Sequence, residues 1–540
     1  MKPDYTALGN ASLARLRTAC ENADEIQNEL LSEIVINNKN TEFGKKYNFS
    51  AIKSTEDFQN TVPLSCHDDY CDYIDRIING GKNILTAEYP VYFCVSSGTT
   101  GEEKFFPVTE EDIMLQHIYA CGAIYGQVME YYRGFDEREL FGKIFQIGEF
   151  AKTSMPDGRM NGIRSGCVYQ WLNKDGEFDA SDYCVPKEIL FPETLEDLLY
   201  IKVRFALAER NLTAIHGVFI NRIAGVMDYI YRNWDMLIFD MEHGTVNKTV
   251  SLSKKWRGFI EERLKRGMIK KLWKNVKYIL AIGGDAFSCY NEKMAEFADG
   301  IPVHHYAYAA SEGIFGIAET IDVPDRYILI PESVFFEFIP INKNDPERPL
   351  LMREINIGEK YELVLTNRSG LYRYRLGDVI EVVGRYKNAP VVKYCYRLNQ
   401  AINIAGEKTN CEQLSAAVKR FSEITGARII GYCVTEDVSG IAPRYLIYIE
   451  CADSGVIQNA GKILEKCMRE ANFDYRSCAE INEIAPLRAE FLKSGSFSKY
   501  ERKLAESGRL MGQNKLLHFL DTEEKKEFFA AQVIKKEIEQ

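Results

Sequence analysis

The sequence predicts an α/β protein, with a large N-terminal part and a smaller α+β part at its C-terminal end. Three stretches carry that expectation. Residues 278–308 alternate strand, helix and strand, the pattern of a parallel sheet. A Ser/Thr/Gly-rich loop is held between two apolar runs at 91–109. Beyond Arg397 the strand-rich pattern gives way to a helix from about 410, strands near 428–434 and 444–451, and helices near 456–471 and 523–537. The changeover divides the chain into a large domain over 1–396, a hinge at 397–400 and a small domain over 401–540. At 540 residues the chain is too long for a single core.

The elements follow in order. Leu13, Leu16, Ala19, Ala23, Ile26, Leu30 and Ile34 repeat at helical period, so residues 10–36 read as a helix capped by Asn10. Residues 55–80 read as a short helix with connections. Val91 to Val95 is a buried strand, and Phe105 to Val108 resumes strand character. Thr109-Glu110-Glu111-Asp112 supplies a capping hydroxyl and three acids, opening a helix that runs through Tyr131. Residues 140–190 mix strands and turns. Pro192-Glu193-Thr194 opens helical stretches reaching about Asn233. Residues 253–274 hold nine Lys and Arg in an amphipathic pattern, interrupted by Glu261 and Glu262, and read as a solvated helix face. Tyr278 to Asp285 is an apolar strand ending in a Gly pair, followed by a helix at 287–298 and a strand from Val303 to Tyr308. Strands then dominate to about 395.

Composition bounds the function. Hydrophobic residues make up 46% and charged residues 27%, ordinary for a folded protein. The net charge of −11 argues against broad nucleic-acid or anionic-membrane binding, which needs a basic footprint. The 14 cysteines are scattered without a Cys-x-x-Cys pair and fit a reducing cytoplasm. Cys66 and Cys71 flank His67, Asp68 and Asp69, but no second ligand pair follows at finger spacing. The most apolar long run, Leu212 to Tyr231, contains His216, Asn221, Arg222 and Asp228 and will not span a bilayer. The expectation is a soluble, cytoplasmic monomer without nucleic-acid or membrane partners.

Chemistry concentrates at four places. Ser96-Ser97-Gly98-Thr99-Thr100-Gly101, followed by Glu102, Glu103 and Lys104, offers hydroxyls, loop N–H groups and a point charge suited to phosphate. Its spacing is that of neither a Walker loop nor a dinucleotide fingerprint, and a plain surface hairpin stays open. Tyr308-Ala309-Ala310-Ser311-Glu312-Gly313 ends an apolar strand, where open α/β sheets bind ligands; Glu312 is a hard oxygen ligand suited to Mg²⁺. Tyr372 to Leu376 alternates aromatic and Arg along a strand that reaches Gly377-Asp378. There a carboxylate can accept ribose hydroxyls or simply close a turn. Arg397-Leu398-Asn399 falls at the expected hinge.

Each piece is short, but their order resembles that of adenylate-forming enzymes: phosphate loop, Gly283-Gly284 strand, Tyr-x-x-Ser-Glu, Gly-Asp strand and Arg-x-Asn hinge. More narrowly, Ser96 to Thr99, Tyr308 to Gly316 and Tyr372 to Asp378 resemble the auxin-responsive promoter (Gretchen Hagen) family of acyl-acid amido synthetases, and Gly512-Gln513-Asn514-Lys515 resembles that family's terminal Gln-x-Lys segment. The resemblance implies a large domain of α/β subdomains with a β-barrel-like part, and a small mobile C-terminal lid. It implies ATP and Mg²⁺, attack of a carboxylic acid on the α-phosphorus of ATP to give an acyl-adenylate and pyrophosphate, and then attack of an amine, usually an amino acid, on the carbonyl with release of AMP. On that reading Ser96, Ser97, Gly98, Thr99, Thr100, Gly101 and Lys104 hold the β/γ-phosphates, and Glu312 holds Mg²⁺. Tyr308 and the Gly283-Gly284 backbone flank adenine beside Ser311, and Asp378 takes the ribose near Arg397. Lys515 bridges carboxylate and α-phosphate until rotation at Asn399 removes it. The loop is one residue shorter than the plant form, and Leu516-Leu517-His518 stands where the plant segment has Pro-Arg. A thioester-forming ligase using coenzyme A shares every nucleotide residue, and a nucleotide-binding scaffold without turnover is a third reading.

Overall fold

The computed structural model describes residues 4–534 except 98–102, 149, 152, 194–197, 249, 251, 264–272, 284–293, 296, 299, 342–347, 399–401, 403, 405–408, 440–442, 453–455, 481–483, 507–517 and 521. The chain opens with two helices, Tyr5–Glu21 and Ala23–Asn38, where the sequence suggests one. Asp4, not Asn10, caps the first by accepting from the Ala7 N–H at 2.8 Å. Asn22 breaks the pair without breaking the apolar period, because Leu13, Leu16, Leu30 and Ile34 all reach the same core.

The expected strand-loop-strand unit is an antiparallel hairpin of β1 (Tyr92–Ser97) and β2 (Glu103–Val108), with Ser96 opposite Lys104. Thr109 caps the next helix through the Asp112 N–H, and helical backbone continues to Tyr131. β3 (Ile144–Gln146), β4 (Thr153–Ser154) and β5 (Met160–Gly162) follow, with β4 and β5 extending the hairpin sheet. A helix over Arg164–Leu172 occupies part of the stretch that reads as strands and turns.

The main correction lies at 192–233. This run is not helical throughout: between helices Leu199–Ala208 and Ile220–Arg232 lies β6 (Ala214–Phe219). A strand covered on both faces is continuously apolar, so its period does not distinguish it from a buried helix. β6 sits in a parallel four-stranded sheet ordered β3, β6, β7 (Tyr278–Ile282) and β8 (Val303–His305). The parallel pairing of β7 with β8 is the one that strand-helix-strand alternation predicts, although most of the connecting 287–298 segment lies outside the described residues.

The chain then changes sheets. β9 (Ala307–Ala310) and β10 (Gly313–Ala318) form one edge of an eight-stranded antiparallel sheet. Its other strands are β11 (Tyr327–Leu329), β12 (Phe335–Pro340), β13 (Leu350–Leu351), β14 (Lys360–Thr366), β15 (Tyr374–Tyr386) and β16 (Ala389–Arg397). Tyr306 to Glu312 therefore lies where the carboxyl edge of the parallel sheet meets the antiparallel one. After β16 come a helix Cys411–Thr425, β17 (Ile429–Asp437), β18 (Arg444–Cys451), a helix Ala460–Ala471 and β19 (Arg488–Phe491). They end in a helix Glu523–Ala531, and β17, β18 and β19 form a three-stranded sheet. The apolar core of residues 5–392 is distinct from the clusters built from residues 402–529.

The alternation expected at 372–376 does not hold. Arg373 has φ +47°, a left-handed conformation that breaks the strand, and β15 starts only at Tyr374. Its guanidinium is buried against Glu337 at 2.9 Å and donates to the Gln59 and Val62 carbonyls, each at 2.7 Å. Tyr372 is buried too, its hydroxyl donating to the Leu85 carbonyl at 2.6 Å. Burial of a charge demands a partner on whichever side one exists, and that requirement outweighs the two-residue period. Arg375 alone follows the expectation, half-exposed and paired with Glu362 at 2.6 Å.

Candidate active site

One cavity of about 310 Å³ opens at the junction of the two sheets. It gathers Gly283, Tyr308, Ser311, Glu312, Asp378 and Arg397, residues up to 114 positions apart in sequence (397 − 283) that the motif order singles out. Tyr308 leaves β9 with its ring among Phe315, Tyr327 and Tyr394, at centroid distances of 5.3, 6.0 and 6.0 Å. Its hydroxyl donates to Asp378 Oδ2 at 2.9 Å. Burial, reinforced by that carboxylate, pushes the Tyr308 hydroxyl well above its ordinary pKa and keeps it a donor.

Asp378 is not at a strand end. It lies inside β15, one residue past Gly377 at φ +77°, in register with Arg397 of β16. Arg397 Nε donates to Asp378 Oδ1 at 2.5 Å. The carboxylate is 2% exposed, and two of its roughly four lone-pair positions are taken, one on each oxygen. The unused positions are what a ribose diol would need. Arg397 is held charged by the adjacent Asp378, against the opposing effect of burial, which is the largest single influence on it.

Glu312 sits in the turn between β9 and β10. Its backbone carbonyl accepts from Asn367 Nδ2 at 2.9 Å, and Oε1 accepts from the Tyr374 hydroxyl at 3.3 Å. Oε2 has no hydrogen-bond partner among the described residues, and Glu312 lines the cavity. A fixed carboxylate with one oxygen left over fits a hard cation such as Mg²⁺, which takes one or two carboxylates and completes its shell with phosphates and waters. Gly283 follows β7; a Cβ there would come within 2.2 Å of the His305 ring, so the packing of His305 already requires glycine.

Lys104, on β2, does not line the cavity; its charge acts on His67, whose pKa is lowered mainly by burial and secondarily by Lys104. The backbone of Ser96 and Ser97 belongs to β1. Gly98, Thr99, Thr100, Gly101, Gly284, Asn399 and Lys515 lie outside the described residues. His67, Asp68 and Cys71 bring one potential ligand atom each within 4.8 Å of one another; Asp69 instead accepts from the Cys66 N–H at 2.8 Å.

The cavity also draws on residues no motif marks. Ala120, Cys121, Ile124 and Tyr125 come from the helical run after Thr109, as the sequence suggests. Ile163, Arg164, Val168 and Tyr169 come from the unexpected helix and the residue before it, and His216 to Phe219 from β6 rather than from a helix. Arg164 is buried and paired with Asp112 at 2.7 and 3.0 Å. Cys411, Glu412 and His518 reach the cavity from beyond the expected hinge. These positions carry no local signal, since only tertiary packing brings them to one wall.

The whole chain superposes on the structure of GH3.15 acyl acid amido synthetase in complex with 2,4-DB, with a TM-score of 0.85 at 23% identity, over 99% of this chain and 98% of that one. Indole-3-acetic acid-amido synthetase GH3.4 of Arabidopsis thaliana is 27% identical over 522 residues, 88% of this chain and 86% of its own. A probable indole-3-acetic acid-amido synthetase of Oryza sativa, GH3.11, is 26% identical over 94% of this chain and 93% of its own. The class is thereby defined: an AMP-forming acyl acid amido synthetase, a ligase of the adenylate-forming type. Models of the GH3 family N-terminal, central and C-terminal domains match residues 12–303, 327–397 and 412–524, and the chain belongs to the GH3 family.

Proposed function

We propose that the cavity binds ATP and a small carboxylic acid side by side, and that the acyl-adenylate formed there is passed to an amino acid. The observation that carries this reading is the convergence of Tyr308, Glu312, Asp378 and Arg397 at the carboxyl edge of the parallel sheet, continuous with an apolar chamber. Asp378 accepts the ribose hydroxyls while Tyr308 and Arg397 fix its orientation. The Gly283 backbone and the Tyr308 ring flank adenine, with Ser311 beside them. Ser96, Ser97, Gly98, Thr99, Thr100, Gly101 and Lys104 take the β/γ-phosphates. Mg²⁺, when bound at Glu312, supplies charge neutralisation for the triphosphate. The acid's carboxylate points towards Arg397, and its acyl body lies against Ile124, Tyr125, Phe150 and Val168.

Attack at phosphorus gathers negative charge, so catalysis here is mostly positioning and electrostatic stabilisation. Lys515 supplies one positive charge at the α-phosphate during adenylation. Rotation of the 401–540 domain about the 397–400 hinge withdraws it and admits the amine; separate apolar cores on either side of residues 397–401 support two bodies. The acidic net charge and the cysteines, none disulfide-bonded among the described residues, favour action as a cytoplasmic monomer. Among those residues no helix is long and apolar enough to cross a membrane. The test is ATP–pyrophosphate exchange across a panel of carboxylic acids. It is followed by AMP release from the preformed adenylate with each amino acid and with coenzyme A. Exchange with at least one acid, and release accelerated by an amino acid but not by coenzyme A, is the expected result.

A further inference from the structure

The apolar chamber has a polar floor. Gln146 of β3, His216 of β6 and Leu280 of β7 are register partners in the parallel sheet, so their side chains share one face, and all three line the cavity. Gln146 is 6% and His216 7% exposed. Neither His216 ring nitrogen has a hydrogen-bond partner among the described residues; Nε2 is sealed off, which leaves Nδ1 as the nitrogen that a group in the chamber can reach. The Gln146 amide likewise has no side-chain hydrogen bond there.

Two nearby buried polar side chains, His304 and Gln116, do not share this condition. His304, next in the same row on β8, bonds the Ile321 carbonyl through Nδ1 and the Tyr132 hydroxyl through Nε2 at 2.9 Å. Gln116, in the same cavity wall, donates to the Arg164 carbonyl at 2.9 Å and accepts from Cys167 at 3.1 Å. Buried polar groups are nearly always paired, and two unpaired neighbours facing one chamber mark a place where something else completes them. Leu280 of β7 lies three residues before Gly283, which follows that strand, and this sets the floor about 10 Å deeper than the proposed nucleotide end.

We infer that His216 and Gln146 are specificity-determining residues that select carboxylic acids with an aromatic body and a hydrogen-bonding group, such as a hydroxyl, at the end remote from the carboxylate. Phe150, Tyr125 and Tyr169 supply ring faces and edges along the way. Burial drives the His216 pKa down to about 3, so the ring is neutral, with one N–H donor and one acceptor nitrogen. The Gln146 amide offers the same pair of functions. A hydroxyl between them can donate to one and accept from the other. A site built to hydrogen-bond a substrate hydroxyl discriminates strongly against the analogue that lacks it, because its own polar groups are then left unpaired.

The inference rests on the acyl-acid reading for what fills the chamber, and the test separates the two. Full-length protein with ATP and Mg²⁺ is titrated by calorimetry with three matched pairs: benzoate and 4-hydroxybenzoate, phenylacetate and 4-hydroxyphenylacetate, 3-phenylpropanoate and 3-(4-hydroxyphenyl)propanoate. ATP–pyrophosphate exchange is measured with the same acids. In at least one pair the hydroxylated acid should bind about tenfold or more tighter. His216→Leu and Gln146→Leu should level that pair, while His216→Gln, which keeps a donor and an acceptor, should retain part of the preference. Equal or reversed affinity in every pair with the wild-type protein overturns the inference, as does binding of none of the six acids. A preference that persists in both leucine variants overturns it too. A water bridging the two side chains predicts equal affinity and falls among the overturning results. A binding preference without exchange upholds the polar floor and refutes adenylation. Exchange at equal efficiency within every pair does the reverse.

Discussion

Asp378 offers the sharpest test of the nucleotide assignment, because its two proposed tasks have separate readouts. Asp378→Asn keeps the side-chain volume and one acceptor oxygen for the Tyr308 hydroxyl, but removes the charge that faces Arg397. Breaking a buried ion pair by deleting one partner costs about 3–5 kcal/mol. The Arg397 side chain keeps 18% of its exposure, whereas Asp378 keeps 3%, so the low end, about 3 kcal/mol, applies to folding stability. The second task draws on the two unused lone-pair positions. Charge-assisted hydrogen bonds contribute about 1.5–3 kcal/mol each, so losing those to a ribose diol should weaken ATP by well over tenfold. Urea unfolding of the ligand-free protein reads the first quantity, and calorimetric titration of ATP reads the second on the same preparation. Tyr308→Phe is the control: it removes one hydroxyl bond, about 1 kcal/mol, and keeps the ring. A destabilised Asp378→Asn with wild-type ATP affinity refutes the ribose role and leaves Asp378 a clamp between β9 and β16. Undiminished stability refutes the ion-pair reasoning.

Glu312→Gln should lower apparent Mg²⁺ affinity in pyrophosphate release and recover in part at high Mg²⁺; wild-type Mg²⁺ dependence would show that Glu312 is only a turn residue. Lys515→Ala should slow pyrophosphate release by a factor of about 10²–10³ while sparing amide formation from a chemically prepared adenylate. Equal slowing of both half-reactions excludes domain rotation as described. Arg373→Met leaves the Glu337 side chain, which has no exposure, without its counter-charge and should cost about 3–5 kcal/mol in urea unfolding, while Arg373→Met/Glu337→Leu should recover much of that loss. His216 titrates near 6.5 when unfolded and near 3 when folded, so the unfolded chain binds the extra proton as pH falls below about 6.5. Stability should therefore drop by about 2 kcal/mol between pH 6.5 and 5 from this group alone, and His216→Leu should remove that share of the acid limb, to which His67, His117 and His304, also lowered by burial, add their own.

The sequence by itself determined whatever rests on short-range chemistry. The β1–β2 hairpin shows in two apolar runs around a glycine-rich loop, and the Thr109 cap shows in a hydroxyl followed by acids, because a helix start satisfies its N–H groups from within four residues. The parallel pairing of β7 with β8 follows from the alternation of element types. One end of the cavity was legible for a related reason: Tyr308, Ser311 and Glu312 lie within five consecutive residues at the end of β9, and Asp378 beside one glycine. Only the tertiary structure decided the rest. β6 passes for a helix because burial on both faces erases the period that separates the two. Arg373 leaves its alternating pattern because the carboxylate that can neutralise it, Glu337, lies on another strand. The row of Gln146, His216 and Leu280 exists only once three strands distant in sequence are in register, so no local pattern marks it. The helix starts and turns of this chain are fixed by groups a few bonds apart, whereas the depth and polarity of its cavity are fixed by which buried neighbours the sheets bring together.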